Sequence, residues 1–154
     1  MATALAIIHG LVAVALLGAI THQMLATWAP AGARPGSFLG RFRAVRSASF
    51  TNAVVVLYLV SATLGAIVYL YFKVEISPFM ERDRHWRALG LLDLKEDFVS
   101  IGLGLLPAYW LCWRHMPGDE AGGTRAALTG LLAFIVWWGF IIGHVMTDIM
   151  GFGS

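Results

Sequence analysis

Between Thr3 and Trp28 the chain holds no Asp, Glu, Lys or Arg. A helix of that length crosses a hydrocarbon layer about 30 Å thick, and within a bilayer only helices and closed barrels satisfy their own backbone hydrogen bonds. Two histidines, His9 and His22, sit inside this run, and an ionisable side chain at membrane depth is a functional hypothesis by default. Their separation places them roughly 20 Å apart along a helix axis and about 140° apart around it. They therefore lie near opposite faces of one bilayer, and two cofactors stacked on one face of this helix are disfavoured. No basic residue precedes the run, which also exceeds the roughly 7–15 residues of a signal-peptide core, so we read it as a retained span.

Three further apolar runs follow, and composition explains why they cannot be soluble core helices. Hydrophobic residues make up 58% of the 154 and charged residues only 13%, against about 25% charged in an ordinary soluble domain. There is too little polar surface to cover a water-facing fold. The expectation is an all-α integral membrane protein, one membrane domain over residues 1–154, with four transmembrane helices (about 3–28, 51–72, 95–114 and 126–150) in an antiparallel up-down bundle. Ala29 to Ser37 holds two prolines and two glycines and reads as a loop; Gly118 to Arg125 reads as a short polar connection. The polar connection 73–94 is the expected extramembrane contact surface. In it Pro78 stops the second helix and Trp86, Leu89, Leu91 and Leu92 supply apolar contacts for lying along the interface. Lys95, Glu96 and Asp97 are expected in the first turn of the third span, where acids complement the helix dipole and Lys95 snorkels, and Pro107 should kink that helix.

The same composition removes several function classes. The net charge of +2 comes from residues in the connections, and no basic patch interleaved with aromatics is present for nucleic acid. Cys112 is the sole cysteine, which excludes an internal disulfide and thiolate-caged zinc or iron–sulfur sites within one chain. No Ser/His/Asp set or phosphate-cradling glycine loop is evident, so hydrolase and nucleotide-dependent readings have no foothold. Arg34, Arg41, Arg43 and Arg46 make the densest basic cluster, which by the positive-inside rule puts the first connection in the cytoplasm and both termini outside.

With four antiparallel spans the histidine depths can be compared. His9 and His144 each lie about six residues from the outer end of their spans, whereas His22 and His115 lie toward the inner end and form a second, less well matched pair. Two histidines at one depth on different helices are what a six-coordinate haem b needs as axial ligands. Gly10 follows His9 and Gly143 precedes His144, giving a flat macrocycle room, and Asp148 stands one turn beyond His144, where it could orient the ring. The bland alternative is that membrane histidines serve as hydrogen-bonded packing residues and that those at span ends are interfacial. Ser61 and Gly65, and separately Gly139 and Gly143, are small-xxx-small pairs that allow close approach of a helix or a flat ligand.

The opening Ala6-Ile7-Ile8-His9-Gly10-Leu11-Val12-Ala13-Val14, the arginine-rich turn after span one and Lys95 at the head of span three resemble the bacterial membrane protoporphyrinogen oxidase family and the related copper-resistance D-type four-helix modules. The resemblance implies a haem b bundle in the bacterial inner membrane, with the histidine at position 9 as axial ligand and the lysine at position 95 assisting cofactor or substrate. The leading expectation is a membrane haem b protein passing electrons between quinone or a periplasmic partner and a larger membrane complex. Haem sits at His9 and His144, and a second haem is conceivable at His22 and His115. The alternatives are a cofactor-free accessory or assembly subunit, packed against other membrane subunits or copies of itself, and a porphyrinogen-oxidising enzyme.

Overall fold

The computed structural model describes residues 2–28, 36–38, 41, 47–116 and 118–150, and every described element longer than a turn is helical. The loop prolines Pro30 and Pro35, the arginines Arg34, Arg43 and Arg46, and Pro117 lie outside the described residues. Helix α1 spans Ala2–Trp28, a 3-10 turn at Ser47–Ser49 leads into α2 at Phe50–Glu75, and a six-residue helix α3 covers Ser77–Arg82. Two long helices complete the chain, α4 at Trp86–His115 and α5 at Gly118–Met150.

Three helices are long and apolar enough to cross a membrane, over Thr3–Trp28, Phe50–Glu75 and Gly122–Asp148. Helix α4 does not qualify on composition, because Asp93, Lys95, Glu96 and Asp97 leave an uncharged run only from Phe98 to Trp113.

Two boundaries differ from the sequence reading. The segment 73–94 is not mainly a connection: Pro78 opens α3 from its first turn, where its missing N–H costs nothing, and α4 starts at Trp86. That early start follows from burial, since Leu89 and Leu92 are both 7% exposed and pack with Phe72, Met80, Ile142 and Met146. Lys95, Glu96 and Asp97 therefore stand well inside α4, and no acidic residue occupies its first turn; the dipole role expected for them is withdrawn. Likewise Gly118 to Arg125 is helical and belongs to α5. There Arg125 donates to the carbonyls of Cys112 (3.2 Å) and Met116 (2.7 Å), satisfying acceptors that the end of α4 cannot bond within its own helix. Pro107 is accommodated within an unbroken α4.

Cross-helix contacts fix the arrangement. Gly65 meets His9 and Thr51 meets Gln23, so α2 runs opposite to α1. Asn52 meets Trp110 and Tyr58 meets Val99, so α4 runs opposite to α2. Thr129 meets Trp113 and Trp138 meets Phe98, and α5 is opposite to α4. Trp137 reaches Thr21 and Trp28 reaches Ala126, closing the ring between α5 and α1.

The ring has two unlike ends. At the end that holds Gln23, all four long helices share one apolar core that includes Leu16, Ile20, Val54, Leu106, Tyr109, Leu132 and Ile135. At the end that holds His9, the buried cluster comes from α2, α3, α4 and α5 alone, and no described side chain of α1 before Leu16 is buried. The outward faces carry exposed apolar side chains, among them Leu11, Val14, Leu59, Ile101 and Phe134, as a lipid-solvated surface requires.

Candidate functional site

The space that α1 leaves at the His9 end is a cavity of about 520 Å³, within the range of small-molecule pockets. All four long helices contribute to its wall. Helix α1 supplies His9 and Gly10, α2 supplies Tyr58, Ser61 and Gly65, α4 supplies Lys95 and Glu96, and α5 supplies Gly139, Gly143 and His144.

Gly65 is the residue that lets His9 lie where it does. A Cβ at position 65 would come within 3.1 Å of the imidazole Cε1, tighter than most packing contacts, and would touch Nε2 at 3.5 Å. The small-xxx-small pair of α2 thus receives an imidazole rather than a helix backbone. His9 is half-buried, and its Nδ1 is buried without a hydrogen-bond partner. A buried polar nitrogen left unpaired costs about 1–3 kcal/mol, so this atom calls for an explanation.

Lys95 Nζ and Glu96 Oε1 are 2.6 Å apart, with side chains only 13% and 23% exposed. Such a pair is held in a partly desolvated wall, where its attraction is stronger than at a wet surface. Across the cavity, Gly139 and, on α1, Gly10 have nothing within 4 Å of the place a Cβ would occupy. At Gly143 the nearest atom is Lys95 Cε at 4.0 Å. The Gly139/Gly143 pair therefore faces open space and one lysine stem, not a neighbouring backbone. His144 is exposed and stacks parallel on Phe140, with centroids 6.4 Å apart and 6° between the planes.

Of the residues singled out in the sequence, His9, Gly10, Lys95, Gly143 and His144 line this one cavity. Three do not join them. Asp148 is exposed on α5 outside the cavity wall. His22 stacks on Phe50 at 4.6 Å near the opposite end, and His115 is exposed beside Trp110 at 5.2 Å. The two members of the expected second pair stand on α1 and α4, across the ring from each other, and each is engaged with an aromatic ring of its own neighbourhood.

Sequence reasoning places Lys95, Glu96 and Asp97 near the level of His9 and His144, and of these Lys95 and Glu96 line the cavity; it missed Tyr58 as a wall residue and gave Gly65 only a helix-packing role. Tyr58 donates its hydroxyl to the Val99 carbonyl at 3.1 Å and crosses Gly102, where a Cβ would overlap its hydroxyl and stand 2.6 Å from Cζ. The signal available beforehand was Gly102 opposite an aromatic in an antiparallel helix pair, which becomes readable only once the register is known. In an otherwise apolar chamber these groups can accept a flat apolar body, ligate through imidazole nitrogen, and exchange a proton at the Lys95/Glu96 pair.

No known protein-family model, curated protein or solved structure matches the chain.

Proposed function

We propose that the chain is a four-span haem b protein of the bacterial inner membrane, with both termini outside, that passes electrons between quinone or a periplasmic partner and a larger membrane complex. The single observation that carries this reading is the convergence of His9 and His144 on one cavity flanked by Gly10, Gly139 and Gly143. Helix α4 serves as the fourth span: its 30 residues reach about 45 Å, and its Lys95/Glu96 pair turns to the cavity wall rather than to lipid. Helix α3 and the first turn of α4 lie along the interface, with Phe79 and Trp86 exposed and the Arg82 guanidinium over the Phe79 ring at 5.6 Å.

Two observations support the fit. The partnerless nitrogen of His9 marks an imidazole whose surroundings are incomplete. Gly10 and Gly139 have open space beside their backbones, and two imidazoles suffice for an iron whose other ligands a macrocycle provides. His9 and His144 would hold the iron, and Lys95 would face the propionates. Bound haem b supplies reversible one-electron exchange; the protein's share is to orient it, exclude water around it and hold charge at the Lys95/Glu96 pair. His9 and Lys95, the two positions that carry the resemblance to the protoporphyrinogen oxidase family, both line the cavity.

A visible spectrum of the purified chain before and after dithionite tests the reading. A Soret and α-band difference is expected in the wild type and lost in His9→Ala. A colourless wild type, the outcome expected of a cofactor-free accessory subunit, or full signal in His9→Ala would overturn it.

A further inference from the structure

Away from the cavity, Arg82, Arg84 and Arg87 crowd the turn from α3 into α4. Only one of them is neutralised. Arg82 pairs with Asp83 at 3.7 Å and lies over the Phe79 ring, and the other acid of the turn, Glu81, accepts from the Ser77 hydroxyl at 3.2 Å. Among the described residues the remaining ion pairs are Lys73–Asp93 and Lys95–Glu96, so no described carboxylate answers the charge of Arg84 or Arg87. Both are exposed, and with Trp86 and Leu91 they border an open hollow of about 470 Å³. The backbone sets Arg84 there at a cost. The amide of His85 donates to the Met80 carbonyl at 2.9 Å and that of Arg84 to Glu81 at 3.1 Å. This helix end holds Arg84 at φ 61°, a left-handed conformation that glycine most often fills.

Depth and polarity agree at this turn. Leu89 and Leu92 pack against Phe72 and Met146, in the last turns of the spans that end at Glu75 and Asp148. Up to one turn further out, Trp86 and Arg87 stand level with those ends, where indoles and guanidiniums gather at a bilayer surface. In the other direction Leu91 and Leu94 follow Arg87 on the same helix face, and they are 38% and 42% exposed. We propose that the hollow binds one anionic phospholipid, with Arg84 and Arg87 bridging its phosphate, Trp86 against its glycerol and an acyl chain along Leu91 and Leu94. Guanidinium forks match phosphate oxygens two at a time. A cationic pair continuous with an apolar strip has the shape of a lipid, not of a free phosphate. The inference rests on the interfacial placement of α3 and the head of α4 and is independent of haem.

Native mass spectrometry of the full chain released from detergent tests it, with phosphatidylglycerol and phosphatidylcholine of identical acyl chains as competing probes. The wild type should retain one phosphatidylglycerol at least about fivefold better than phosphatidylcholine. An arginine near a membrane surface favours anionic lipid by about fivefold, so Arg84→Gly and Arg87→Gln should each lower retention by about that factor, and together by about 25-fold. Arg82→Gln, at a site already neutralised by Asp83, should leave retention unchanged. Glycine suits the left-handed backbone at position 84, so the melting temperature of Arg84→Gly should hold or rise, which separates loss of lipid from loss of fold. Excess inorganic phosphate should not displace the lipid. Equal retention of the two lipids, equal effects of the three arginine variants, or displacement by inorganic phosphate would overturn the site. A visible spectrum of the same sample reads haem separately: a colourless chain that selects phosphatidylglycerol sinks the haem reading and leaves the lipid site standing.

Discussion

The Gln23 end and the His9 end are built from the same four helices, yet one is filled and bonded while the other is hollow. At the Gln23 end, a set of buried polar side chains is bonded across the helices. Gln23, Thr51 and Tyr109 are each 0% exposed. Gln23 donates to Thr51 Oγ1 at 3.3 Å and accepts from the Tyr109 hydroxyl, and Trp113 donates to Thr129 at 3.1 Å. At the His9 end, two buried nitrogens, His9 Nδ1 and Trp138 Nε1, have no partner, and glycines look into open space. Without a hydrophobic driving force between helices in lipid, close packing and interhelical hydrogen bonds hold a membrane fold together. The bonded end carries stability, and the hollow end is where the proposed ligand site lies.

Matched glycine substitutions probe that division most sharply. Gly102→Ala, beside the filled core, should destabilise by about 2–3 kcal/mol as Tyr58 is displaced, whereas Gly10→Ala at the cavity should change stability by less than about 0.5 kcal/mol. Thermal unfolding in detergent checks both, and equal effects would erase the distinction between the ends. Next, Tyr109→Phe leaves a buried Gln23 oxygen short of its donor and should cost about 1–2 kcal/mol, measured by the same melts. Trp138→Phe removes an unbonded donor at the hollow end and is expected to be neutral or slightly stabilising; a loss comparable to that of Tyr109→Phe would reveal a partner at Trp138.

The smallest effect concerns the clasp at the rim of the hollow end. The Lys73 ammonium and the Tyr69 hydroxyl both meet Asp93 Oδ1, at 2.9 and 2.7 Å. The ion-pair partners are well exposed, at 38% and 51%, so breaking the pair costs at most about 1 kcal/mol. Asp93→Asn should lower thermal stability by no more than that in the same melts, and an unchanged melting temperature would remove the clasp from the account.

Much of this division was legible in the residues, and the part that was not has a physical cause. The helices followed from uncharged runs, and depth matching tied His9 to His144 because antiparallel spans conserve depth. Azimuth is not conserved in that way. Which face of α4 holds Lys95 depends on where the helix begins, and the charged residues of 81–97 disguised a helix that Leu89 and Leu92 anchor from Trp86 onward. His22 and His115 stand on helices that are diagonal, each stacked on or beside a neighbouring aromatic ring, and sequence order alone does not reveal the ring. The Gln23–Tyr109 bond crosses that diagonal only because both side chains are long and point to the axis.

The clamp of Trp28 and Trp137 has a mechanical consequence. With α1 fixed near its C-terminal half and first buried at Leu16, the fourteen residues from Leu16 back to Thr3 form a stiff arm of about 20 Å. A tilt of about 10° at Leu16 carries its tip about 3 Å, roughly the thickness of an aromatic ring. His9, seated on Gly65, lies within that arm, so the residue expected to ligate is also a latch of the arm that carries it.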